Sequence, residues 1–156
     1  MKAVLRLIAV AVIFIGAISA LTGPSEPWNV SLKTGEESIR ALTGSYFWRH
    51  RFLCFGGETK ADGVHPLDAK DRLGVLASAD GKIWISVMKR PDTVRVTCWS
   101  FDETMETADL DGTRLEVTDL AFTVPEGKWV INITLGWNGD RTGGNASYVA
   151  VIERAS

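Results

Sequence analysis

The chain has little of what most enzymes are built around. It carries two histidines, His50 and His65, and two cysteines, Cys54 and Cys98. A nucleophilic triad needs a base and an orienting group within hydrogen-bond reach of the nucleophile, and His50 lies in a run of aromatics with no such context. There is no Gly-x-Ser-x-Gly elbow, and nothing around Ser45, Ser78 or Ser86 marks an activated hydroxyl. No CxxC pair or second cysteine-rich element is present, which argues against a zinc site. The pairs Gly56-Gly57 and Gly143-Gly144 are not followed by the helix that a phosphate cradle uses, so no nucleotide is expected. Charge is sparse as well: 17 basic residues stand against 19 acidic ones, and no Lys/Arg run is dense enough for nucleic acid or an anionic bilayer.

What is present begins at the N-terminus. Lys2 and Arg6 precede the apolar run Leu7 to Ala17, and the small residues Ser19 and Ala20 follow, the order of a secretory signal. Residues 1–20 are therefore expected to be a signal peptide or, if uncleaved, an anchor through residues 4–21, and the protein to be secreted or extracytoplasmic. The apolar stretch is shorter than the roughly 20 residues a spanning helix wants, which favours removal. No cysteine near Ala20 offers a lipoprotein site. Loss of Lys2 and Arg6 takes the formal charge from −2 to −4.

In an exported chain, Cys54 and Cys98 are expected to form a disulfide. Closing the loop from 54 to 98 would be worth about 4 kcal/mol on the chain-entropy estimate.

Residues 21–43 are expected to be a tether, rich in proline and glycine from Thr22 to Pro27, followed by a short helical turn around Glu36, Glu37, Ile39 and Leu42. From residue 44 to 156 the pattern alternates with period two. Tyr46, Trp48, His50, Phe52 and Cys54 share one face of a first strand; Ile83, Ile85 and Val87 share one face of another, opposite Trp84. Val94, Val96 and Cys98 lie opposite Arg95, Thr97 and Trp99. Trp129, Ile131, Ile133, Leu135 and Trp137 make a five-residue apolar face, and the Asn138–Asn145 loop reverses the chain into a last strand. Short strands, frequent turn signals and little helical periodicity predict one all-β domain, an antiparallel immunoglobulin-like β-sandwich of seven or eight strands.

Three clusters could carry a site. Trp84 and Trp99 each project opposite an aliphatic set, so with Arg95 they could form an exposed aromatic platform; Asp140 and Asn145 in the glycine-rich loop form a second candidate. Asp62, His65, Asp68 and Asp71 recur every three residues and could ligate a divalent cation, although the spacing fits no EF-hand, and Asp68 could instead cap a short helix entered through Pro66. Glu103, Glu106, Asp109 and Asp111 could supply an acid pair, but read more simply as a soluble hairpin loop.

The segment Gly44-Ser45-Tyr46-Phe47-Trp48, then Ala61-Asp62 with His65-Pro66-Leu67-Asp68, then VRVTCWS from Val94 to Ser100, resembles a module of Firmicute envelope proteins and lipoproteins. The turn Pro125 to Gly127, the strand closing on Trp137 and Ala146-Ser147-Tyr148 resemble the same module. The resemblance spans residues 44–152 and implies an exported β-rich domain, in some cases attached to membrane sensor peptidases, with no catalytic residues. This chain lacks both a lipoprotein cysteine and such a peptidase domain. The expected function is non-catalytic binding of a cell-wall polymer or another envelope protein, without a cofactor. The alternatives are an assembly protein associating through strand edges and, third, a metal-assisted hydrolase centred on Asp62, His65 and Asp68.

Overall fold

Where apolar and polar residues alternate, the chain forms strands whose apolar side faces inward, because a pleated backbone sends successive side chains to opposite faces. The computed structural model describes residues 24–35, 37–52, 55–140 and 142–155. The expected signal segment and Cys54 lie outside the described residues. Four strands, β1 (Val30–Lys33), β2 (Ser38–Arg40), β6 (Lys82–Val87) and β9 (Ala121–Thr123), form one sheet in the order β2-β1-β6-β9. The second sheet holds β3 (Leu42–Phe52), β4 (Phe55–Ala61), β7 (Thr93–Ser100), β8 (Thr113–Leu115), β10 (Gly127–Trp137) and β11 (Thr142–Arg154), in the order β4-β3-β11-β10-β7-β8. Strand β5 (Val75–Ser78) adds to β11 as the one parallel pair among the described residues.

The expected all-β sandwich is observed. It has eleven strands among the described residues rather than seven or eight, divided four and seven, unlike the smaller sheets of an immunoglobulin constant domain. The core lies between the sheets. Val30, Leu32, Ile83, Ile85 and Phe122 come from the small sheet; Trp48, Val96, Ile131, Ile133, Leu135, Trp137, Tyr148 and Ile152 come from the large one. The β10–β11 pairing, from Gly127 opposite Arg154 to Trp137 opposite Gly144, forms its spine. Gly144 has φ +149°, and any Cβ there would strike the Phe47 carbonyl, so the neighbouring β3 backbone can approach only a glycine.

Two expectations change. The segment read as tether and helical turn supplies β1, β2 and the start of β3, because Val30 and Leu32 alternate with Ser31 and Lys33 and are fully buried. From Pro24 the chain is already tied down: the Trp48 Nε1–H donates to the Pro24 carbonyl at 2.9 Å and the Tyr148 hydroxyl to the Trp28 carbonyl at 2.7 Å. Trp28, Trp48 and Trp137 meet at this end with centroids 4.8 to 5.4 Å apart. The expected strand from Tyr46 to Phe55 is two strands, since the chain reverses and Phe52 pairs with Phe55. Among the described residues no helix is long and apolar enough to cross a membrane.

The disulfide expected between Cys54 and Cys98 is not seen among the described residues, which do not include Cys54. Cys98 is a free thiol, 1% exposed, on the inner face of β7. Cys98 is level with Ile131 and Ala150, whereas Phe55, the chain neighbour of Cys54, pairs at the far end of β3, beyond the level of Thr142. That is about ten residues along the strands, about 33 Å, whereas a bridge needs Cα atoms within about 7 Å. Both thiols are expected to label in denatured, unreduced protein; labelling of neither would contradict the topology.

Burial, reinforced by the Glu103 charge, pushes the Cys98 thiol up to about 11. Burial likewise raises the Tyr148 phenol. Both groups hold their protons more tightly folded than unfolded, so stability is intact below the ordinary thiol value near 9 and falls as pH rises towards 11. Urea titrations from pH 7 to 11 should show the midpoint dropping above pH 9; a flat midpoint would contradict it.

Candidate functional site

A sandwich has two outer faces, and the two candidate tryptophans are on different ones. Trp84 projects from β6 on the outside of the small sheet; Trp99 projects from β7 on the outside of the large sheet. They cannot form one platform. Trp99 is also covered: a one-turn helix α1 (Pro66–Ala69) and the turn that follows it lie over the sheet, and Leu67, Val130 and Val149 enclose the ring, leaving it 4% exposed. Its Nε1–H donates to the Asp109 carbonyl at 2.7 Å. Lys70 fastens the same cover by donating to the carbonyls of Phe101 and Glu103, each at 2.6 Å.

The expected metal cluster is part of this cover. His65 caps α1, its Nδ1 accepting from the Leu67 N–H at 3.3 Å, and its ring stands edge-on to Trp99 at 5.3 Å. Asp68 sits in the first turn, where a carboxylate favours the helix N-terminus, so His65 takes the capping role expected of Asp68. Among the described residues no three His, Cys, Asp or Glu side chains could hold a metal ion, so Asp62, His65, Asp68 and Asp71 do not converge. The acidic loop is likewise occupied with its own backbone: Glu103 accepts from the Ser100 N–H and Asp109 from the Asp111 N–H.

Trp84 is 37% exposed and sits in a groove of about 520 Å³ lined by Lys82, Glu116, Thr118, Asp119, Ala121 and Thr123. Its cross-strand neighbours are Lys33 and Ala121, the second carrying only a methyl group. The Lys82 ammonium stands 5.1 Å from the ring centroid. The far wall is a tight hairpin in which Thr118 and Ala121 exchange backbone hydrogen bonds at 2.9 Å. Both central residues, Asp119 (φ +49°) and Leu120 (φ +62°), are left-handed. Aspartate tolerates this; leucine pays about 1–2 kcal/mol. Packing of Leu120 on the core and the Ile85 N–H donating to its carbonyl at 2.7 Å hold it there. Asp-Leu is no turn signature, so the sequence did not announce this wall.

Arg95 and Asn145 do share a face, the outside of the large sheet, on strands flanking β10. Asn145 lies opposite Gly136 and Phe47, and Arg95 opposite Thr134. The side chains of Thr93 and Asn145 lean into the space that a Cβ on Gly136 would occupy. Asp140 is exposed in the loop at the end of this face. The chain matches no family model, no curated protein and no solved structure.

Proposed function

We propose that the protein is an exported, non-catalytic binding module of the cell envelope that takes a saccharide chain of the wall against Trp84. The observation that carries this reading is the part-exposed tryptophan ring, with the Lys82 ammonium near its face, half-framed by a groove whose remaining lining is mainly polar. A flat aromatic face excludes water from the apolar face of a sugar ring, while Glu116, Thr118, Asp119 and Lys82 offer acceptors and a donor for its hydroxyls. The strained Asp119-Leu120 turn supports it, since backbone strain tends to persist where a binding surface is shaped. The signal-like N-terminus and the resemblance to envelope domains support the compartment.

Co-sedimentation with purified cell-wall sacculi tests the reading. Trp84→Ala should weaken binding at least tenfold, about 1.4 kcal/mol, while its thermal midpoint stays within about 1 °C of wild type. Equal binding by the variant would overturn the proposal.

A second reading, assembly through strand edges, is favoured by β4, an edge strand of seven residues without proline that, among the described residues, pairs only with β3. A monomer in light scattering would remove it.

A further inference from the structure

We propose that the open half of the large sheet's outer face is a second binding surface, independent of Trp84, whose occupant is an acidic polysaccharide. The register assembles it from residues far apart in the chain. One row across the sheet reads Lys60, Phe47, Asn145, Gly136 and Thr93; the next carries Ser147, Thr134 and Arg95. Arg49 and Arg51 continue the outward face of β3, and Arg114 lies beside Thr97 at the β8 edge.

Charge names the partner's sign. Arg49, Arg51, Lys60, Arg95 and Arg114 are all exposed on the strands of this half, where Glu58 on β4 faces outward among them; Asp62 and Asp140 stand at the rim, and Glu116 shares a groove with Arg114. The chain as a whole is acidic, with formal charge −2, so this basic field is local to one face. Among the described residues the single ion pair is Arg90 with Asp119, on the other side of the sandwich; Arg49 stands directly opposite Glu58 without pairing to it. These cations are therefore free to meet an external anion, and the planar guanidinium fork matches a carboxylate bidentately.

Shape and polarity name the rest. Between the basic flanks the floor is neutral: a shallow, mainly apolar depression of about 510 Å³ that Phe47, Ala61 and Ala146 line together with Ser45, Ser147, Thr134 and Asn145. Hydroxyl and amide groups of this kind both donate and accept, as a polyol requires. The six strands from β4 to β8 span about 24 Å, so charges at both flanks are reached by a polymer rather than a single small acid. A nucleic acid would want a track of aromatic platforms, whereas the outward rows named above carry a single aromatic residue, Phe47.

Affinity electrophoresis through gels containing polygalacturonate, with neutral dextran as reference, tests the proposal on the whole chain. Wild type should be retarded by polygalacturonate and not by dextran. Binding should weaken at least tenfold when Lys60→Glu and Arg95→Glu are combined, and should fall as salt shortens electrostatic range. Trp84→Ala should bind polygalacturonate like wild type, which separates this surface from the groove on the other face. Asn145→Ala, which changes no charge, should weaken binding less than the double reversal, and melting curves confirm that each variant is folded. No retardation of wild type, an unchanged double variant, or tighter binding to polyadenylate or to anionic vesicles than to polygalacturonate would overturn the proposal.

Discussion

Trp48→Ala is expected to lose about 3–5 kcal/mol of stability, a large part of the 5–15 kcal/mol available to a domain of this size. The indole is fully buried and is one corner of the Trp28-Trp48-Trp137 cluster, 4.8 Å from one ring and 5.4 Å from the other. Removing it leaves a cavity between the sheets at the end where the chain crosses from Pro24 to Trp28. It also strips the Pro24 carbonyl of its donor, so the crossing loses one of its two fastenings. Trp28→Ala should cost less, because that ring is only partly buried and packs on the cluster from outside. Urea unfolding followed by far-ultraviolet dichroism measures both. If Trp48→Ala keeps its midpoint within experimental error, the cluster is not what closes this end of the sandwich.

Trp99→Ala should likewise fail by unfolding rather than by losing a ligand. The ring fills the space between the large sheet and its cover, touching Leu67, Val130 and Val149, with the Gly112 backbone (φ +66°) packed too close to admit a Cβ. Truncation is expected to cost about 3–4 kcal/mol through the cavity and the orphaned Asp109 carbonyl. The effect should be concentrated in the cover. Amide exchange ought to accelerate most across residues 65–73 and 101–112, with β10 and β11 changing less. A variant that melts like wild type yet binds less ligand would show that this indole is a contact residue after all. Read beside Trp84→Ala, the pair gives opposite signatures from two tryptophans that the alternating pattern treats alike.

The inward faces were legible from residues alone. Ile83 and Ile85, Val96 and Cys98, and Ile131, Ile133 and Leu135 all point into the core as period-two alternation requires, and so does Trp48. The β10–β11 hairpin was equally readable, because a long apolar face, a glycine-rich loop and a second apolar run leave few other ways to bury the surface. The early strand β1 carried the same alternation, but proline and glycine nearby made it look like a tether.

By itself the sequence determined the strand faces and the sandwich class, because side-chain alternation is a local property of an extended backbone. Tertiary structure alone decided what lies over each outer face. α1 settles on Trp99, whereas Trp84 has Ala121 beside it and stays open. Register alone brings Lys60, Arg95 and Asn145 within one surface and keeps Cys98 far from the β3–β4 reversal. The physical reason is the same throughout: periodicity says which way a side chain points, and only the packing of distant segments says what it meets there.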